Sequence, residues 1–258
     1  QLTGLPINRE EVQNAREILQ ADQDDSVNRM RSLPLVAEYE AHRLKTYTVE
    51  KNAEWKVKRM TEQEMLEASK TSETILKEIT FNPNSGPQLQ HLIYTQLGLP
   101  VIDYTDTKQP ATGKDTLKKL KNHTQDKDVL QFLDALIDYT DVTIILSIFI
   151  PAFERSVQGP DGWYYLFGNF NLGGTISGRL SSNDPNLQNI PATGSKYAKI
   201  IKKCVQAPAG WLLVGLDFNS LEDMISALTT KDPNKLKVYT DGYDGHCLRA
   251  FAYFGEQM

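Results

Sequence analysis

Cysteine is almost absent from this sequence: Cys204 and Cys247 are the only two in 258 residues, and they are too far apart for a CxxC pair. That gives no support for a disulfide framework or a cysteine zinc site. It fits a reducing compartment such as the cytoplasm, where both thiols are expected to be ordinary buried side chains. An excess of positive charge is also missing, since 28 Lys and Arg stand against 33 Asp and Glu for a formal net charge of -5. A uniformly basic coat is therefore excluded, and any grip on phosphates must come from local clusters. Long apolar runs are lacking too. The longest, residues 142–153, is interrupted by Thr143, Ser147 and Pro151 and falls short of the about 20 residues a bilayer span needs, so it is expected to be a core helix, with no membrane partner. Gln1 leads into a mixed polar segment without the basic start and apolar stretch of a signal peptide, and the expectation is of a chain cut from something longer. What remains, 40% hydrophobic residues, is enough for one large domain or two modest ones.

From Asn8 to Lys77 the chain is rich in Glu, Lys, Gln, Ala and Leu with a single interior proline, Pro34, which predicts two or more long helices. Arg43, Lys45, Lys51, Lys56, Lys58 and Arg59 outnumber Glu50 and Glu54 there. This is either a patch that follows a phosphate backbone or a solvated helix face. Residues 81–86 have helix-start chemistry, and Leu89, Leu92, Ile93 and Leu97 then recur at helical spacing until Gly98. Residues 105–114 are turn-rich and precede Lys118, Lys119 and Lys121, predicting a mobile, positively charged tip before apolar helices resume near Val129. Near residue 156 the helical half gives way to segments that read as strands, 163–167 and 211–216.

Two segments carry chemistry. Residues 178–191, Gly-Arg-Leu-Ser-Ser-Asn-Asp-Pro-Asn-Leu-Gln-Asn-Ile-Pro, form a long polar loop. Arg179 and the amides of Asn186, Gln188 and Asn189 suit the minor-groove acceptors that every base pair presents; alternatively, such a loop bonds to its own backbone. Downstream, the apolar run 211–216 ends in Asp217, followed by Phe218, Asn219, Ser220, Leu221 and Glu222. A carboxylate closing a buried strand needs a partner. A magnesium ion is one candidate, and the capping of a following helix is the other.

The run from Ser177 to Pro191 resembles the T-G-R-L-S-S-x-x-P-N-L-Q-N-I-P signature of family A DNA polymerases, and Asp217 to Glu222 resembles their motif A, D-Y-S-Q-I-E. Flanking segments agree in order: Ile201-Lys202-Lys203 resembles a basic I-R-R stretch, Asp244-Gly245-His246 with Phe254-Gly255 resembles D-I-H-T to F-G, Phe81 to Pro100 resembles a thumb segment, and Thr3 to Ile7 resembles the start of the polymerase domain. The resemblance implies an α+β fold, a mostly helical thumb over 1–155 followed over 156–258 by part of the antiparallel-sheet palm of a right-hand polymerase. It implies template-directed addition of deoxynucleotides to a primer end, with two Mg2+ ions in the complete enzyme. Asp217 is then the motif A metal ligand, aided by the backbone carbonyl of Phe218. Glu222 is the steric gate against ribose, and His246 is a triphosphate contact. Arg179, Asn186, Gln188, Asn189, Lys202 and Lys203 contact primer-template DNA.

The sequence departs from the family pattern at several points. Ile144, Ile145 and Leu146 occupy a neighbourhood where members place Lys and Arg, Met224 stands where motif A has Arg, and Ser177 replaces Thr. Motif C and the nucleotide-binding fingers helix do not occur before Met258. The expectation is thus a piece inactive alone, completed by fingers and C-terminal palm in cis or as a second chain, with a possible exonuclease domain upstream and a source that leans toward a phage. Two competing classes are a duplex-gripping module without chemistry and a metal-dependent phosphohydrolase built on Asp217, for which no second carboxylate cluster is evident.

Overall fold

The computed structural model describes residues 4–55, 61, 63, 64 and 79–255, with backbone alone at 48–55. Of the expected basic patch, Lys51, Lys56, Lys58 and Arg59 have side chains outside the described residues; Arg43 is half-buried and Lys45 exposed. The chain divides into two compact units, Gln1–Gly210 and Trp211–Met258.

The larger unit is mostly helical around a small antiparallel sheet, as the α+β expectation requires. Helix α1, Arg9–Arg31, starts where Asn8 accepts hydrogen bonds from the backbone N–H groups of Glu10 and Glu11 at 3.0 and 3.2 Å, satisfying two of the helix's orphan donors. Glu10 and Glu11 in its first turn and Arg29 and Arg31 in its last complement the helix dipole. Its buried stripe, Val12, Ala15, Leu19, Ser26 and Met30, follows helical periodicity. Helix α2, Pro34–Trp55, opens on a proline whose missing N–H costs nothing at that position. The next element with described bounds is the short α3, Gly86–Gln90, continued by a π turn, His91–Gln96, and stopped at Gly98, whose φ of +65° favours glycine and lets Leu99 N–H return to the Ile93 carbonyl at 3.2 Å.

Helix α4, Lys114–Leu120, leads to α5, Lys127–Ile144, capped by Asp126 and prolonged through a π turn, Ile145–Phe149, into α6, Ile150–Glu154. The stretch 127–154 is apolar and long enough to meet a membrane-span criterion by composition. Instead it is the spine of this unit, burying Phe132, Leu133, Leu136, Val142, Ile145, Ile150 and Phe153, as expected of the run 142–153. Each such burial contributes about 1.5–3 kcal/mol. α1 lies along α5, clasped by Arg29–Asp138 at 2.7 Å, by Gln23 on Thr143 at 2.8 Å, and by Arg16 on Glu154 through two bonds of 2.7 and 2.6 Å.

Two cores result. One joins Met30, Tyr39, Phe81, Leu92 and Phe132; the other joins Ile7, Leu19, Val142, Phe153, Leu166, Tyr197, Ile201 and Cys204. The second core is roofed by a sheet ordered β1–β3–β2, from β1 Leu5–Ile7, β2 Val157–Gln158 and β3 Tyr164–Leu166, with Leu5 opposite Leu166 and Val157 opposite Tyr165. A second pair, β4 Asn169–Asn171 and β5 Ser181–Asn183, sets Phe170 opposite Ser182, and helix α7, Ala198–Lys203, closes the unit.

Three expectations need correction. Two of the three lysines after the 105–114 turn are not free charges: Lys119 pairs with Asp103 at 2.9 Å and Lys121 with Asp134 at 2.5 Å, carboxylates that approach only through folding, while Lys118 is exposed. Residues 211–216 form no strand. Their side chains are exposed, Trp211 by 74% and Leu216 by 95%, and no described strand supplies the ladder partner that an extended segment needs. Finally, Cys204 is buried as expected, its thiol pushed up to about 11 by desolvation, whereas Cys247 is exposed, near the start of a helix that buries little around it.

Candidate functional site

In the larger unit the polar loop hangs from β5. Ser182 is buried at its root; its hydroxyl donates to the Pro185 carbonyl at 3.3 Å and accepts from Leu187 N–H at 3.2 Å, folding residues 182–187 back on themselves. Asn186 caps a 3-10 turn, Leu187–Asn189, by accepting from Gln188 N–H at 3.1 Å, so its side chain does the local backbone work that the alternative reading required. Gln188, Asn189 and Arg179 are exposed. Lys202 and Lys203 are exposed on α7, with Lys202 Nζ reaching Thr193 Oγ1 at 2.5 Å.

The smaller unit holds the other residues. After the extended run, Ser220 turns the chain with a left-handed backbone, φ 50°, ψ 36°, and helix α8, Leu221–Thr230, begins. A serine in that conformation costs about 1 kcal/mol, and such costs collect at functional sites. The cap position belongs to Ser220, which makes no side-chain cap bond, so Asp217 is not the helix cap. Helix α9, Pro233–Thr240, follows, capped by Asp232, and then α10, Gly245–Phe254, capped by Asp244, which accepts from His246 N–H at 2.8 Å and Cys247 N–H at 3.0 Å. Those two bonds hold the Asp244 carboxyl below its usual range.

α8 and α10 border a cleft of about 610 Å³, lined by Asp217, Phe218, Ser220, Leu221, Glu222, Asp223, His246 and Arg249. It brings together four residues that the sequence singled out, Asp217, Phe218, Glu222 and His246. The Asp217 carboxylate is exposed and has no hydrogen-bond or ion-pair partner among the described residues. Its lone pairs are therefore available to a hard cation that completes its shell with water and phosphate oxygens, as magnesium does. Among the described residues no group of three or more His, Cys, Asp or Glu is arranged as a complete metal site.

Sequence reasoning missed Asp223 and Arg249. Asp223 joins all three helices, accepting from the Tyr239 hydroxyl, from Arg249 Nη1 at 3.1 Å and from Lys235 Nζ at 3.3 Å. The Tyr239 hydroxyl foremost, then Arg249 and Lys235, hold its carboxyl down at about 2. These partners lie 12 to 26 residues away, so no local pattern announces them. The one available signal was chemical: a carboxylate directly after Glu222, followed by scattered cations at helical positions.

The profile of DNA polymerase family A matches residues 51–258. DNA polymerase I of Bacillus subtilis is 37% identical over 111 residues, 43% of this chain and 12% of that protein. The thermostable DNA polymerase I of Thermus thermophilus is 35% identical over 112 residues, again 43% and 12%. The DNA polymerase of Bacillus phage SP01 is 29% identical over 110 residues, 43% of this chain and 11% of that one. Among solved structures, the POL domain of Pol1 from M. smegmatis, in complex with DNA primer-template and dNTP, superposes with a TM-score of 0.67 at 20% identity, covering 98% of this chain and 35% of that one. The chain belongs to DNA polymerase family A, and its match spans about an eighth of the length of the curated relatives. Its mostly helical body with a small antiparallel sheet is the fold of the thumb and part of the palm in that family.

Proposed function

We propose that this chain is the thumb, residues 1–155, and the first part of the palm, residues 156–258, of a template-directed DNA polymerase that extends a primer with deoxynucleotides. The observation that carries this reading is the cleft itself: the motif A positions Asp217, Phe218 and Glu222 share one cavity with His246, 24 residues beyond Glu222 by numbering.

In this reading Asp217 supplies carboxylate oxygens, and the Phe218 carbonyl a further oxygen, to Mg2+. When bound, Mg2+ held there would supply charge neutralisation at the transferring phosphoryl group and at the primer hydroxyl. The protein's own work is positional. Glu222 lies two residues past the Ser220 bend, in the first turn of α8, and closes the space a ribose 2′ hydroxyl would need, which is discrimination by clash. His246, exposed at the start of α10, offers an imidazole to the triphosphate. Arg179, Gln188 and Asn189 read duplex shape through minor-groove acceptors, Asn186 holds that turn in register, and Lys202 and Lys203 meet the DNA backbone. Incorporation requires a second carboxylate motif and a nucleotide-binding helix, supplied in cis or by another chain; together with them this chain makes the assembled polymerase.

Asp217→Ala in the assembled polymerase is expected to abolish nucleotide incorporation while duplex affinity stays within about two-fold, because Asp217 makes no described structural contact. Primer extension and gel-shift titration measure the two quantities. Retained incorporation would remove Asp217 from the metal.

A further inference from the structure

Arg249 is a cation in a cleft whose other ionisable lining groups are the carboxylates Asp217, Glu222 and Asp223 and the imidazole of His246. It follows His246 by three residues on α10, so the two side chains occupy one face of the helix about one turn apart. One guanidinium nitrogen, Nη1, rests on Asp223 at 3.1 Å, and the side chain is still 45% exposed. Asp223 does not need Arg249 for neutrality, since Lys235 and the Tyr239 hydroxyl hold the same carboxylate. One carboxylate is thus shared by two cations, Lys235 and Arg249.

We propose that Arg249 is a phosphate-binding residue, acting beside His246 on the triphosphate of the incoming nucleotide and on the pyrophosphate released, with Asp223 as the anion that competes for its guanidinium. A guanidinium suits the task because its donors lie in one plane and match phosphate oxygens in pairs, so the nitrogens not committed to Asp223 can engage a phosphate. The inference rests on the polymerase reading and extends it to a residue outside the motif A segment.

The test is steady-state incorporation by the assembled polymerase, with inhibition by inorganic pyrophosphate as the second readout. Arg249→Gln keeps a planar hydrogen-bonding group on a shorter side chain but removes the charge; it is expected to raise both the nucleotide KM and the pyrophosphate inhibition constant about ten-fold, as loss of a charge-assisted hydrogen bond implies. Asp223→Asn loosens the same helices but frees Arg249 from a competing anion, so it is expected to leave pyrophosphate inhibition as tight as in the parent or tighter. A residue that merely fastens α10 to α8 would make both variants equally defective, and that result overturns the proposal, as does an unchanged inhibition constant in Arg249→Gln. If the parent incorporates no nucleotide, the polymerase reading itself falls; if the parent is active and only the pyrophosphate result fails, that reading stands and Arg249 is a fastener.

Discussion

Replacing Ser182 by alanine removes one oxygen and, with it, both hydrogen bonds that fold the polar loop back on its strand. The hydroxyl is buried, so water does not substitute freely: the Pro185 carbonyl loses a donor at 3.3 Å and the Leu187 amide loses an acceptor at 3.2 Å. A buried polar group left without a partner costs about 1–3 kcal/mol. Both bonds lie within residues 182–187, so the cost is expected to appear as local opening rather than global unfolding. Converted at about 1.4 kcal/mol per ten-fold, the Leu187 amide should exchange with deuterium about five- to 150-fold faster in Ser182→Ala than in the parent. Mass-spectrometric exchange at fixed pH and temperature reads this directly, with amides of α5 as the internal reference. Because the loop carries Asn186, Gln188 and Asn189, the same variant is expected to bind primer-template duplex more weakly with no change in net charge. Leu187 exchange within two-fold of the parent would refute the argument that Ser182 pins the loop.

Two further outcomes follow from the cleft. Glu222→Ala is expected to lower discrimination against ribonucleotides in the assembled polymerase by at least about ten-fold, read from the ratio of kcat/KM values for the two sugars; an unchanged ratio removes the gate role. Asp223 makes the three-helix packing acid-sensitive. Its folded carboxyl sits at about 2 against an ordinary 3.8, so its contribution is complete above about pH 4 and is lost as pH falls from there through about 2. Denaturant titrations of the parent and of Asp223→Asn at about pH 5 and about pH 2.5 should differ most at the higher pH, and an equal difference at both would contradict the assignment.

The parts of this fold that were legible in the sequence are those written in neighbouring residues. Leu89, Leu92 and Ile93 before Gly98 announce a helix and its stop, and the aromatic run at 163–167 announces the strand that forms at Tyr164–Leu166. Motif A and the Asp-Gly-His segment were read separately, and their residues line one cleft. What escaped depends on pairing across distance. Whether 211–216 is a strand is decided by a partner, not by its own β-branched and aromatic content. The charges of Lys119 and Lys121 are set by Asp103 and Asp134, and the Asp223 junction by residues on two later helices.

The first strand has one more implication. Leu5–Ile7 pairs with the central strand β3 on one side, while Ile7 bridges Val205 and Asn8 N–H bonds to the Cys204 carbonyl at 2.8 Å. The opening residues thus work as a keystone wedged between segments from far down the chain. Removing residues 5–7 would strip β3 of a neighbour and take Ile7 out of the core it shares with Ile201 and Phe153, so protease resistance around Tyr164 should report whether those few residues are in place.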